Sequence, residues 1–93
     1  MSRNRYARRR DLNEPPIIEA LEAAGCDVLQ GHDIDLIVGR AGATYLLEVK
    51  RPKRATESRI EPIQKRLREA WRGHYAIVTT PEQALIAVGA VVA

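Results

Sequence analysis

The 93-residue sequence contains no phenylalanine, only one cysteine and no long apolar run. The single cysteine, Cys26, excludes a disulfide within the chain and is typical of a reducing compartment. The longest uninterrupted apolar run covers residues 84–88, far short of the roughly 20 residues that cross a bilayer. The arginine-rich start is not followed by an apolar stretch, which argues against a secretory signal. We therefore expect a soluble cytoplasmic protein that has no membrane partner and no small-molecule organic cofactor.

Basic and acidic residues are segregated along the chain. Residues 1–10 hold five arginines and no acid, residues 11–49 hold eight acidic residues and one base, and residues 50–72 hold nine basic and three acidic residues. Dense basic segments attract polyanions, and nucleic acid is the commonest of these inside cells. The acidic segment would repel the same ligand unless a cation lay between them. The pattern predicts a protein that binds nucleic acid and a cation.

The first half of the chain carries signals for a flexible arm, a helix and a hairpin. Residues 1–10 lack apolar periodicity and repel one another, so we predict a basic arm followed by one domain over residues 11–93. Asn13 is predicted to cap a first helix that ends at Gly25. A short strand over residues 28–30 and two further runs, 34–38 and 43–49, come next. The last two runs predict an antiparallel hairpin with its turn at residues 39–42.

The second half carries two capping-box patterns. Residues 58–61 predict a second helix over residues 59–72, in which Trp71 belongs to the apolar stripe and is expected in the core. A buried strand over residues 75–79 follows, and the pattern at residues 80–83 opens a short last helix. The order α-β-β-β-α-β-α predicts an α/β fold in which helices flank a small mixed β-sheet.

Three charged side chains are predicted to converge at the end of the hairpin. Successive side chains of a strand point to opposite faces, so Glu48 and Lys50 share one face and Val49 the other. Asp35 opens the neighbouring strand and can converge on Glu48. Two converging carboxylates repel each other and bind a hard divalent cation such as Mg²⁺ or Mn²⁺. Glu14, on the apolar face of the first helix, can complete the cluster.

These residues carry a family resemblance. Asp35, then Glu48-Val49-Lys50 thirteen residues later, with Glu14 upstream, resembles the catalytic motif of the PD-(D/E)xK nuclease superfamily. Residues 11–88 look like a stand-alone VRR-NUC domain and are similar to the archaeal Holliday-junction resolvases. The resemblance implies a restriction-endonuclease-like core and a metal-dependent endonuclease that cuts branched DNA such as four-way junctions. Pro15 and Pro16 depart from the family pattern, as does Ile34, which stands where the superfamily has proline.

The resemblance also implies a role for each site residue. Asp35 and Glu48 would be the principal ligands of Mg²⁺ or Mn²⁺, and Glu14 would complete the cluster directly or through water. Lys50 would orient the attacking water and stabilise charge on the phosphate, and Gln64 would assist from the second helix. Similar junction nucleases are dimers, which implies a homodimer. The apolar tail at residues 85–93 would contribute to that interface or pack on its own sheet.

Basic residues on both sides of the motif are predicted to contact phosphates. They are Arg3, Arg5, Arg8, Arg9, Arg10, Arg51, Lys53 and Arg54. Several alternatives stay open at this point. Glu48 and Lys50 could form an incidental ion pair on a solvated hairpin face, Asp33 could replace Asp35 as ligand, and Trp71 could stack on a base. The chain could also be a noncatalytic nucleic-acid-binding module or an RNA nuclease with the same fold.

Overall fold

The computed structural model describes residues 12–51, 66 and 69–92. The predicted arm, Gln64, Lys53, Arg54 and most of the predicted second helix lie outside the described residues. Arg66, Glu69 and Ala70, which fall within that helix, are helical. The elements in chain order are α1 (Glu14–Ala23), β1 (Asp27–Gln30), β2 (Leu36–Arg40), β3 (Ala43–Val49), β4 (His74–Val78) and α2 (Pro81–Ala87).

The four strands form one mixed sheet in the order β1-β2-β3-β4. The β1–β2 and β2–β3 pairs are antiparallel, whereas β3 and β4 pair in parallel. In the β3–β4 register Tyr45 lies opposite His74 and Val49 lies opposite Val78. The part of the chain that is described is therefore a small α/β domain with a four-stranded mixed sheet and two helices, which agrees with the predicted α/β class.

The hairpin between β2 and β3 is tighter than predicted. Arg40 pairs with Ala43, so the turn consists of Ala41 and Gly42 alone. Their φ angles are 52° and 82°. Positive φ at both central residues is the geometry of the two-residue turn that matches the right-handed twist of a hairpin. β2 consequently begins and ends two residues later than the β-branched run suggested, and Asp35 lies just before the strand.

The core lies between the two helices and one face of the sheet. Alternation along the strands places Leu36, Val38, Leu47, Val49 and Val78 on that face, and all five are buried. The helices contribute Ile17, Leu21, Ala84 and Val88. The apolar tail is divided, because Val88 is buried whereas Val91 and Val92 are exposed. None of the described helices has the length and apolar character that crossing a bilayer requires.

The prediction that Trp71 is a core residue was wrong. Its side chain is 41% exposed. Helical geometry is recorded at Glu69 and Ala70 but not at Trp71 or Arg72. The helical spacing that placed Trp71 in the apolar stripe therefore does not extend to this residue. Its indole Nε1 donates instead to the carbonyl oxygen of His74 at 3.0 Å.

Candidate active site

Glu48 is the most unusual side chain of the sheet. It occupies the penultimate position of β3, on the face opposite Leu47 and Val49, and is 0% exposed. Neither carboxylate oxygen has a hydrogen-bond partner among the residues that the structure describes. An unpaired buried carboxylate costs free energy and is seldom retained without a use. This burial excludes the solvated hairpin face considered as an alternative.

Asp35 lies beside Glu48 and is held by the backbone. Its Oδ2 accepts a hydrogen bond of 2.9 Å from the backbone N–H of Val49, across the hairpin. The bond aligns the Asp35 carboxyl with the end of β3, next to Glu48. Asp33, the alternative ligand, is exposed in the loop before β2. The structure therefore brings Asp35, not Asp33, to the buried carboxyl.

The pKa of Glu48 reflects both its burial and its neighbours. The pKa of Glu48 is raised to about 9, mainly by burial and further by the neighbouring Asp35 carboxyl. The Lys50 ammonium and the Asp35 backbone act in the opposite direction. The protonated form of Glu48 is favoured, because no group in the described part of the chain donates a hydrogen bond to its ionised form. The pair thus holds a proton near neutral pH.

The carboxyl pair fits a hard divalent cation. Both groups supply oxygen ligands, and the oxygens of Glu48 are buried without another partner in the described part of the chain. Mg²⁺ is commonly held by one or two carboxylates, with water and substrate phosphate completing its shell. Asp35 and Glu48 would therefore be the protein ligands.

Glu14 is buried but is not gathered into a three-residue cluster. It begins α1, is 2% exposed and accepts a hydrogen bond of 3.4 Å from Gln30 Nε2. Pro15 and Pro16 occupy the first turn, where a missing N–H costs little. Among the described side chains, no group of three or more histidine, cysteine, aspartate or glutamate residues is arranged to hold a metal ion. The ligand role predicted for Glu14, direct or through water, stays a prediction.

Lys50 follows β3 and has a fixed backbone. Its N–H donates to the carbonyl of Val78 at 3.0 Å, which continues the pairing with β4 beyond the strand end. Its carbonyl accepts from Asn13 Nδ2 at 2.9 Å. The side chain is half-buried, and its ammonium is near enough to lower the pKa of Glu48. The ammonium and the two carboxyls therefore meet at one end of the sheet, and Arg51 follows exposed.

Asn13 does not cap α1 as predicted. Its side chain makes no capping hydrogen bond; Nδ2 donates instead to the carbonyls of Lys50 and Thr79, each at 2.9 Å. The N–H and hydroxyl of Thr79 in turn donate to Gln83 Oε1 of α2. We call the two bonds of Asn13 the Asn13 bridge. It joins the start of α1 to the ends of β3 and β4. The carbonyls of Lys50 and Thr79 follow the last residues of these strands and take their hydrogen bonds from a side chain.

Loss of the Asn13 bridge is expected to destabilise the fold and to disturb Lys50. Asn13→Asp replaces two donors with an acceptor facing two carbonyls, so we expect it to lower the free energy of unfolding by roughly 1–3 kcal/mol. Asn13→Ala should also shift the amide resonance of Lys50. Urea titration and ¹⁵N–¹H spectra measure these effects.

Thr80→Ala is the matched control for the Asn13 variants. The Thr80 hydroxyl accepts from the N–H of Gln83 at 3.1 Å and caps α2. Its removal should cost about 1 kcal/mol, yet leave the Lys50 resonance in place. Wild-type stability in Asn13→Asp would show that the bridge contributes nothing.

Two other titratable residues are His32 and Cys26. His32 is exposed, and burial raises the pKa of the Cys26 thiol, consistent with a structural cysteine. The described residues thus place two carboxyls and one ammonium together, on a strand end tied to its neighbours by backbone bonds. Comparisons of the chain with protein-family models, with curated proteins and with solved structures found no match.

Proposed function

We propose that this protein is a Mg²⁺- or Mn²⁺-dependent endonuclease with a restriction-endonuclease-like core, which hydrolyses phosphodiester bonds in branched DNA. The observation that carries the proposal is the fully buried Glu48 carboxyl beside Asp35, with the Lys50 ammonium close to both. A module that only bound nucleic acid would gain affinity by losing these acids, because they repel phosphate. Their retention in a costly buried position favours catalysis over binding alone.

The two carboxylates would hold the cation and position it against the scissile phosphate. A bound divalent cation supplies charge stabilisation at the phosphoryl centre and makes a water molecule more acidic. Asp35 is aligned for this role by the Val49 N–H. Glu48 is shielded from solvent, and the low local dielectric constant strengthens its electrostatic interaction with a cation.

Lys50 would act on the water and on the phosphate. Its ammonium would orient the attacking water and stabilise the negative charge that develops on the phosphate oxygens. The hydrogen bonds of the Lys50 N–H and carbonyl, to Val78 and Asn13, hold the base of the side chain. A group held in place before the reaction loses less free energy to reorganisation during it.

The charge pattern supports DNA as substrate, and the resemblance supports branched DNA. The basic segments at residues 1–10 and 50–72 lie on both sides of the acidic one in sequence and would neutralise phosphates. One acidic cluster cuts one strand at a time, whereas a symmetric junction needs two incisions related by a two-fold axis. A homodimer supplies both clusters in that relation.

Cleavage assays on matched substrates test the proposal. Linear duplex, flapped, splayed and four-way-junction DNA would be incubated with Mg²⁺, Mn²⁺ or EDTA, alongside RNA of matched sequence. We expect cleavage only with a divalent cation and fastest on the four-way junction. Full cleavage in EDTA would refute the metal mechanism, and equal rates on linear duplex and junction would refute the preference for branched DNA. Binding without cleavage would favour the noncatalytic module, and preferential cleavage of the RNA would favour the RNA nuclease.

A further inference from the structure

An aromatic cluster lies on the surface at the other end of the β3–β4 pair. It consists of Tyr45, Trp71 and His74. The rings of Tyr45 and His74 stack with centroids 4.4 Å apart and an interplanar angle of 26°. His74 is exposed, and Trp71 is 41% exposed. Two aromatic side chains three residues apart in the chain thus present surface to solvent.

Trp71 is held in one orientation although it is exposed. Its indole Nε1 donates to the carbonyl of His74 at 3.0 Å, and its ring lies against Gly73. A Cβ at Gly73 would lie 2.8 Å from Nε1 and 3.1 Å from Cε2 of the indole, so glycine permits this close approach. A large aromatic fixed in water has already lost rotamer freedom. A ligand that stacks on it meets a preorganised surface at low entropic cost.

The aromatic cluster is separate from the candidate active site. Tyr45 lies three residues before Glu48 and points to the opposite face of β3. His74 pairs with Tyr45, and Val78 pairs with Val49, so four residues separate the cluster from the strand end near Lys50. At the rise of a strand that separation is about 13 Å.

The charge beside the aromatic cluster suits a polyanion. Arg66 and Arg72, which precede His74 in the chain, are both exposed. Many proteins bind single-stranded nucleic acid through exposed aromatic rings and nearby cations. The bases stack on the rings, and the phosphates pair with the cations. Stacking requires an unpaired base, since a paired base in a duplex offers no free face.

We propose that the aromatic cluster binds an unpaired nucleobase of single-stranded DNA, with Trp71 as the main stacking surface. The inference rests on the proposed function for the class of ligand, but not on cleavage. Branched DNA with flaps or splayed arms contains unpaired bases. The cluster would engage the substrate through such a base, away from the phosphate that is cut.

Tryptophan fluorescence tests the inference directly, because Trp71 is the only tryptophan of the chain. The full chain in EDTA would be titrated with an oligothymidylate and with an abasic oligonucleotide of the same length. We expect the oligothymidylate to quench Trp71 and the abasic strand to leave its emission nearly unchanged. Quenching to the same extent by both would overturn the inference, since only phosphate contact would remain.

Variants separate stacking from folding. Trp71→Ala should weaken binding of the oligothymidylate by about 5-fold to 150-fold, the range found when one aromatic side chain that stacks on a base is replaced by alanine, and leave abasic binding unchanged. Trp71→Phe should retain most of the affinity. Gly73→Ala keeps the tryptophan but displaces its ring, so quenching should fall. Leu29→Ala, which truncates an apolar side chain that is 64% exposed, is the matched control and should bind like wild type.

The outcomes distinguish this inference from the proposed function. Quenching without any cleavage in Mg²⁺ would refute the nuclease and leave the base-binding cluster standing. Cleavage with unchanged affinity in Trp71→Ala would refute the cluster alone. A Trp71→Ala variant that turns a dimer into a monomer, with no quenching by the oligothymidylate in wild type, would assign the cluster to a subunit interface and also refute base binding.

Discussion

Asp35→Asn, Glu48→Gln and Lys50→Ala are each expected to slow cleavage of a four-way junction by about 100-fold to 10,000-fold, the range typical of a positioned catalytic group. Each variant removes one ionisable group from the strand end at which the three groups meet. Lys50→Ala keeps the backbone hydrogen bonds of residue 50 to Val78 and Asn13. A lower cleavage rate in this variant would therefore come from the missing ammonium alone. Single-turnover rates in Mg²⁺, with circular dichroism to confirm folding, measure the effect.

Asp33→Asn is the matched control for Asp35→Asn. Asp33 lies two residues earlier and is exposed. Asp33→Asn therefore changes the formal net charge by the same amount as Asp35→Asn and leaves Asp35 and Glu48 in place. It should cleave at nearly the wild-type rate. If Asp35→Asn also cleaved like wild type in Mg²⁺, Asp35 would not be a ligand and the two-carboxylate mechanism would be wrong.

In EDTA, the Glu48 carboxyl is expected to make the wild-type protein less stable as the pH rises. The pKa of Glu48 is raised from 4.5 to about 9, so the folded protein keeps a proton that the unfolded chain releases. The stability that protonated Glu48 contributes to the fold is fully present below pH 4.5 and is lost as the pH rises to about 9. Within that window the slope approaches about 1.4 kcal/mol per pH unit.

Glu48→Gln tests this pH dependence, because the amide has nearly the same shape and cannot ionise. The difference in unfolding free energy between variant and wild type should shift in favour of the variant by up to about 4 kcal/mol between pH 5 and pH 8. Urea titrations in EDTA at several pH values measure it. Glu82→Gln, at an exposed position of α2, should show no such trend. A constant difference between Glu48→Gln and wild type would mean that Glu48 ionises in the fold as it does in water.

Local patterns predicted most of the described elements. The β-branched runs around Asp35 and Glu48 predicted the β2–β3 hairpin. The structure shifts β2 by two residues and shortens the turn to Ala41 and Gly42. The capping-box pattern at Thr80 predicted α2, and the Thr80 hydroxyl does accept from Gln83 N–H. These signals succeed because a strand's alternation, a turn and a helix cap each depend on residues a few positions apart.

The predictions for Asn13 and Trp71 were wrong for the same physical reason. Asn13 sits where helix statistics favour a cap, but its amide donates to carbonyls 37 and 66 residues away, at Lys50 and Thr79. Trp71 continues an apolar spacing, but helical geometry is not recorded at its position and its indole N–H binds the backbone of His74. In both cases a hydrogen bond outside the regular pattern decided where the side chain lies.

Local patterns were enough to predict that Asp35, Glu48 and Lys50 belong to one hairpin end, because strand alternation and turn chemistry involve neighbouring residues. The full burial of Glu48 and the exposure of Asp33 depend on the packing of the whole domain. Alternation specifies the face toward which a side chain points, whereas the elements that cover that face come from distant parts of the chain. Burial sets the pKa of Glu48 and the strength of its interaction with a cation, so the chemistry of the pair depends on packing that no local pattern contains.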